Sequence, residues 1–182
     1  TYYFRVKASN RGGAETGYNT FWSSQNPISI PVNPTNLTAG FADGVSSDRL
    51  KVDWLDNAVN EIGYRLEWSS DNVVFGLVNG SLAINTTTYT DTGLLVNTTY
   101  WYRVQAFNGG GNSSWAVSLP RATRANVPGS GSFSEVNRSS ITVVWGSGGN
   151  PGYTEFFIQA STDSNFTGAL YYPVSGAVWF TG

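Results

Sequence analysis

One short segment of the chain is rich in side-chain oxygens. It contains Asp53, Asp56, Asn57, Asn60 and Glu61. Such a segment could bind calcium, and a pair of carboxylates could act as general acid and base. The spacing is not that of an EF-hand loop, and no pocket-forming segment accompanies the carboxylates. A solvated turn without metal or catalysis is the third interpretation.

Several asparagines stand in Asn-X-Ser/Thr sequons, where X is not proline, and are candidate acceptors for N-linked glycans. They are Asn36, Asn79, Asn85, Asn97, Asn112, Asn137 and Asn165. A chain rich in Asn, Ser and Thr forms some sequons by chance. Their use depends on whether the producing organism glycosylates its proteins.

The residue types that most enzymes depend on are missing. The chain has no Cys, no His and no Met. This excludes a Cys or His nucleophile, a thiolate or imidazole metal site and a Ser-His-Asp triad. The glycine-rich segment ending at Gly152 lacks the lysine and the helix that a phosphate loop needs. We therefore predict no enzymatic activity, no cofactor and no metal.

Charge and composition limit the kinds of partner that we expect for this chain. Ten Lys and Arg residues against twelve Asp and Glu give a net charge of -2, which does not favour nucleic acid. No run of about 18 apolar residues is present, so we predict no membrane insertion in this segment. Charged residues make up only 12% of the chain, and Thr, Ser, Asn and Gly replace them. That composition favours strands and turns.

An internal repeat divides the chain. TYYFRVKASNRGG at residues 1–13 matches TYWYRVQAFNGGG at residues 99–111, and LKVDW at 50–54 resembles ITVVW at 141–145. Proline-rich segments end at Pro34 and surround Pro128. We predict the end of one repeat at 1–30, a complete repeat at 31–125 and the start of a third at 126–182.

Alternating apolar residues predict strands. Inward and outward positions alternate along 50–54, 64–68 and 100–106, with turns near Asp56, Asn79 and Gly109. Short strands separated by turns predict an all-β sandwich. The two-residue alternation alone predicts that the core contains Trp54, Tyr64, Leu66, Leu94, Tyr100, Tyr102 and Val104.

These residues resemble the fibronectin type III family in its bacterial secreted form. The resemblance depends on a tryptophan in the second strand, an aromatic residue in the third strand, and a motif that begins before the sixth strand and continues into it. They are Trp54, Trp145, Tyr64, Phe156, Leu94, Thr98, Tyr100, Tyr102, Arg103, Val104, Ala106 and Asn108, with Val96 in place of the motif's proline. The resemblance implies tandem immunoglobulin-like sandwiches, one complete and two partial. It also implies core positions for Trp145 and Phe156, and a tyrosine corner at Tyr100, with Tyr2 as its equivalent.

Some aromatic residues are expected on outer surfaces. Tyr3 and Trp101 hold equivalent outward positions, and Trp22, Tyr171 and Trp179 are further candidates for contacts between domains or chains. Sugar stacking is one use of such aromatics, and burial against a neighbouring sandwich is another. Shielding by the stems of Arg5 and Arg103 is a third. Repetition in two repeats favours packing between copies.

The first and last residues of the chain correspond to nearby positions within the repeat. Thr1 is equivalent to Thr99, and Gly182 falls near the equivalent of Gly93. A two-stranded hairpin is marginal in water, so we expect other copies of the repeat to complete the partial sandwiches. The pairing would run through a longer chain or by strand complementation between chains, and head-to-tail contacts that do not close form filaments.

Two functions are compatible with these patterns. The first is a bacterial structural protein, which forms an extracellular or cell-surface fibre, sheath or stalk by head-to-tail stacking of sandwiches. The alternative is a carbohydrate-binding or spacer module of a secreted enzyme or adhesin, with polysaccharide as its partner.

Overall fold

The computed structural model describes residues 2–23 and 28–167, and every regular element in these ranges is a β-strand. Strands β1 (Tyr2–Val6) and β2 (Asn19–Ser23) form an antiparallel hairpin. No helix in these ranges is long and apolar enough to cross a bilayer. The predicted all-β class is confirmed.

The middle of the chain forms two antiparallel sheets. The smaller has the order β3–β4–β7, and the larger contains β10–β8–β5–β6 with β9 and β11 also paired to β8. Their bounds are β3 Thr35–Phe41, β4 Arg49–Leu55, β5 Gly63–Ser69, β6 Gly76–Leu82, β7 Thr88–Thr92, β8 Thr99–Asn108, β9 Gly111–Asn112, β10 Ala116–Val117 and β11 Arg121–Ala122.

The core between these sheets follows the two-residue period of the strands. In β4 the side chains alternate between buried and more exposed, and in β8 the even-numbered positions from 100 to 106 are buried. All seven side chains that the period placed inward are buried, and Tyr64, Leu66, Tyr102 and Val104 are completely so. The Trp54 and Tyr64 rings lie 5.8 Å apart, and Tyr100 contacts Trp68 edge to face. The Trp54–Tyr64 contact therefore joins the two sheets, whereas the Tyr100–Trp68 contact lies within the larger sheet.

The last described segment contains fewer paired strands than the middle of the chain. Strands β12 (Ser132–Val136) and β13 (Ile141–Val144) form a two-stranded sheet. The Trp145 and Phe156 rings lie 6.2 Å apart and are half-buried among the described residues, so the prediction that both are core residues stays a prediction. Within the described residues, β12 and β13 pair only with each other.

One predicted turn is a strand. Asn79 and Gly80 lie within β6, which pairs with β5 alone. The register of β5 against β6 shifts on both sides of Leu66, and the Asn79 Oδ1 atom accepts a hydrogen bond from the Ser81 amide at 2.9 Å. An edge strand tolerates such irregularity because only one of its sides carries a ladder.

Candidate functional site

The oxygen-rich segment after Trp54 does not gather its side chains around one point. Asp53 pairs with Lys51, and the Asp56 Oδ1 atom accepts from the Ala58 amide. Glu61 is buried, with its Oε1 atom 3.3 Å from the Asn85 amide nitrogen. In residues 2–23 and 28–167, no group of three acidic side chains is arranged to hold a metal ion.

Two asparagines of this segment instead bind the preceding linker. The Asn57 Nδ2 atom donates to the Asn33 carbonyl at 3.1 Å and to the Thr35 hydroxyl at 2.9 Å. The Asn60 Nδ2 atom donates to the Ser29 carbonyl at 2.9 Å. We call these contacts of residues 28–34 with the middle sandwich the upstream joint.

The β8–β9 turn forms the other side of the upstream joint. The Asn108 Nδ2 atom donates to the Ser29 carbonyl at 2.9 Å and to the Asn60 carbonyl at 3.0 Å. A Cβ atom added to Gly110 would collide with the carbonyl oxygen of Ile28. The turn therefore requires glycine at this position because the linker backbone lies directly against it.

A similar arrangement follows the middle sandwich. Asn150 is 8% exposed, and its Nδ2 atom donates to the Asn126 carbonyl at 2.9 Å, while its Oδ1 atom accepts from the Asn126 amide at 2.7 Å. The Gly129 amide donates to the Gly146 carbonyl at 2.8 Å. We call the contacts of residues 95–98 and 123–129 with residues 146–154 the downstream joint.

The loop between β7 and β8 also contacts the downstream segment. The Asn97 Nδ2 atom donates to the Thr154 hydroxyl at 2.8 Å, and the Tyr153 hydroxyl donates to the Asn97 carbonyl at 2.8 Å. Beside these bonds lies an open groove of about 310 Å³. Its lining is mainly apolar and consists of Leu95, Val96, Thr98, Gly149, Pro151 and Tyr153. The hydrogen bonds described at both joints are thus uncharged, and most of them join amide side chains to backbone groups.

The predicted outward aromatics have different surroundings. Tyr3 is 76% exposed in β1, and Trp101 is half-buried in β8 opposite Ser69 of β5. The side chains of Tyr2 and Trp22, and all of Tyr171 and Trp179, lie outside the described residues. No described joint contact above involves Tyr3 or Trp101. The prediction that these two residues contact a neighbouring domain or chain therefore stays a prediction.

Arginine shielding of aromatics occurs on other rings than those expected. The Arg103 guanidinium lies 4.2 Å from the Phe75 ring centroid and 4.4 Å from that of Trp115, and Arg5 lies 4.4 Å from that of Tyr18. Arg103 also binds the Glu67 carboxylate, with its Nε atom 2.8 Å and its Nη2 atom 2.6 Å from Oε2. This cluster covers the outer face of the larger sheet and explains how the charged Glu67 is 4% exposed.

Ionisable groups with shifted pKa values serve the fold. Burial raises the pKa of Asp91, while a hydrogen bond from the Tyr102 hydroxyl at 3.0 Å acts in the opposite direction. Burial also raises the pKa of Tyr102 and of Tyr64. Hydrogen bonds from the Ser46 side chain and amide and the Val45 amide lower the pKa of the exposed Asp43 to about 2. None of these groups lies in the two joints as defined here.

The sequon asparagines differ in what their side chains do. Asn36, Asn85, Asn112, Asn137 and Asn165 are exposed, and Asn79 is half-buried in β6. The Asn137 Nδ2 atom lies 3.4 Å from the Ser140 hydroxyl in its own turn. Asn97 is the sequon residue whose amide nitrogen binds across the downstream joint.

The middle sandwich has the immunoglobulin-like arrangement of two packed antiparallel sheets. Residues 32–121 match the family model of the fibronectin type III domain. They belong to that family, as the sequence resemblance implied. Domains of this family are generally non-catalytic modules and are typically extracellular.

Several solved structures are similar to parts of this chain. A segment of two fibronectin type III domains from chicken tenascin is 23% identical, with a TM-score of 0.51, over 63% of this chain and 62% of that one. A protein called FN3tt is 20% identical with a TM-score of 0.46, over 53% of this chain and 98% of its own. An Fn3-like protein from Clostridium thermocellum is 27% identical with a TM-score of 0.40, over 50% and 94% of the two chains.

The joint contacts were missed from the sequence. Asn108 and Ser29 are separated by 79 positions, as are Ser47 and Asn126, whose side chains also bind each other. No periodic pattern links residues so far apart. The available signal was asparagine within a few residues after each strand tryptophan, at Asn57 and Asn150, with a proline-containing linker before each strand pair.

Proposed function

We propose that the chain is a non-enzymatic structural array, in which fibronectin type III sandwiches stack head to tail in an extracellular or cell-surface fibre, sheath or stalk. The partners are other copies of the same repeat, along one chain or between chains. The observation that carries the proposal is the recurrence of one type of contact at both joints. In each, an asparagine after a strand tryptophan donates its amide to the linker backbone, Asn57 to Asn33 and Asn150 to Asn126.

These contacts hold each linker against the sandwich that follows it, and the Asn97 bonds also link the middle sandwich to residues 153 and 154. Each neutral hydrogen bond contributes about 0.5–1.5 kcal/mol net, so a joint with several of them resists bending more than a free linker does. Pro31, Pro34 and Pro128 limit the linker further, because proline fixes one backbone angle. A stiff, repeated joint is what an extended array requires, since a flexible one gives a coiled chain.

The test of rigidity is small-angle X-ray scattering of the whole chain and its Asn150→Ala variant. The variant loses two hydrogen bonds to Asn126, so its maximum dimension and its flexibility should both change. Asn165→Ala, at an exposed position outside both joints, is the matched control and should scatter like the parent. A parent chain that already scatters as freely jointed domains would overturn the proposal.

Assembly is tested separately by negative-stain microscopy of the native, full-length protein. Regular filaments or sheaths are expected. Isolated, unassembled molecules at all concentrations would remove the fibre from the proposal and leave the spacer role.

Polysaccharide binding is the second candidate, and the exposure of Tyr3 favours it. An exposed ring on a sheet surface offers a flat apolar face to a sugar. Glycan-array binding that is lost in Tyr3→Ala or Trp101→Ala would support this function. Equal binding by parent and variants would exclude these two rings as the sugar site.

A further inference from the structure

Asn97 differs from the other described sequon asparagines in what its side chain contacts. It begins the sequon Asn97-Thr98-Thr99, and its side chain binds the segment beyond the downstream joint. We infer that Asn97 is a modification site that controls this joint: an N-linked glycan on Asn97 and the closed joint exclude each other. The inference rests on the proposed function, because it concerns the joint that makes the array stiff.

Three polar groups of Asn97 are engaged in the closed joint. The side-chain nitrogen donates to the Thr154 hydroxyl at 2.8 Å, and the carbonyl accepts from the Tyr153 hydroxyl at 2.8 Å. The backbone amide donates to the Arg124 carbonyl at 2.9 Å. The residue is half-buried, with φ at 44° in the left-handed region that asparagine tolerates. Thr154 lies directly against the Asn97 nitrogen, so it occupies the place of a substituent that replaces the hydrogen donated to it.

Glycan transfer places a sugar at that nitrogen. The Asn97 Nδ2 atom would form a bond to C1 of the first sugar of a lipid-linked oligosaccharyl diphosphate. The bond from C1 to the diphosphate oxygen breaks, the lipid diphosphate leaves, and the nitrogen loses one proton. Nothing is oxidised or reduced. A sugar ring is far larger than a hydrogen atom, so a sugar in place of the hydrogen donated to Thr154 forces Thr154 to move away.

The fold sets the order of events. Thr99, the hydroxyl residue of the sequon, is the first residue of β8 and pairs with Ala122 of β11. The Thr98 amide donates to the Thr123 hydroxyl at 3.0 Å. Transfer needs an accessible, extended acceptor, so it must precede the pairing of β8. The state of the downstream joint is then fixed during synthesis.

Asn85 is a matched control within the same domain. It begins the identical sequon Asn85-Thr86-Thr87, has a similar left-handed φ of 59° and is exposed. It lies between β6 and β7, outside both joints. A glycan there adds the same mass and the same chemistry without touching residues 146–154.

The experiment uses the whole chain secreted from a eukaryotic host and trimmed to one N-acetylglucosamine per site. Thr87→Ala leaves Asn97 modifiable but not Asn85, and Thr99→Ala does the reverse. Chain from a bacterial host without N-glycosylation gives the unmodified state with both threonines intact. Glycopeptide mass spectrometry measures occupancy, and hydrogen exchange measures protection of the Asn126 and Gly129 amides, which donate across the joint.

We expect occupancy at Asn97 and a loss of protection at these two amides on the order of tenfold or more, with no loss in the Thr99→Ala glycoform. The inference is overturned if Asn97 stays unmodified while Asn85 is occupied, or if modified Asn97 leaves protection unchanged. Unprotected amides in the unmodified bacterial chain would instead count against the rigid joint of the proposed function.

Discussion

At the scale of single residues, the Tyr102–Asp91 bond is the most buried polar contact between side chains of the two sheets. Tyr102 is completely buried and Asp91 is 9% exposed. We expect Tyr102→Phe to lower the free energy of unfolding at pH 7 by about 1–3 kcal/mol, because a buried carboxylate loses its donor. Urea denaturation measures the change.

The contribution of the Tyr102–Asp91 pair to the free energy of unfolding depends on pH. Because burial raises the pKa of Asp91 above 3.8, this group favours the folded state least when it is ionised. Its cost is absent below pH 3.8 and develops as pH rises through the folded-state pKa. Loss of the Tyr102 hydroxyl raises that pKa further, so the deficit of Tyr102→Phe should shrink as pH falls. A deficit that is constant with pH would show that the ring, and not the bond, accounts for it.

Arg103 is the second residue with a measurable role. Its guanidinium lies against the Phe75 and Trp115 rings and binds Glu67. We expect Arg103→Ala to cost about 2–3 kcal/mol, because Glu67 keeps only its contact with Arg65. In the double variant Arg103→Ala with Glu67→Gln the loss should be smaller than the sum of the two single losses. Additive losses would mean that the two side chains are not coupled.

At the scale of elements, the turn between β8 and β9 fixes the upstream linker. Gly110→Ala should displace residues 28–30 at a cost of about 1–3 kcal/mol, since the new methyl group meets the Ile28 carbonyl. Limited proteolysis of the linker should accelerate. Gly109→Ala is the control, because a Cβ there would be 3.4 Å from the Ile28 Cδ1 atom, an ordinary contact. Equal proteolysis of both variants would contradict a linker packed on this turn.

Strand positions were predictable where one face is buried. Leu50, Val52 and Trp54 alternate in the sequence and are buried in β4. The edge strand β6 was not predictable, because it pairs on one side only and carries Asn79 and Gly80, which usually form turns. Burial of Glu67 was also missed, since its cover comes from Arg103 on another strand. Alternation along a strand predicts on which face of the sheet a residue lies. It does not predict whether a side chain from a neighbouring strand covers that residue.

At the scale of the whole molecule, the hydrogen bonds described at the joints are uncharged. Amide, hydroxyl and backbone groups form them, and salt screens such bonds little. We expect the scattering profile of the chain to be the same at low and at high ionic strength. A chain that becomes more extended or more flexible as salt is added would reveal an electrostatic contact between domains.

The upstream linker has a mechanical consequence. Ser29 is held by Asn60 and Asn108 through side-chain hydrogen bonds that involve no strand pairing. Under tension along the proposed array, these few bonds would break before the bonds of a strand ladder, which share the load. Seven freed residues span roughly 23–25 Å when fully extended. In the proposed array, such a linker would lengthen under load and shorten again before any sandwich unfolds.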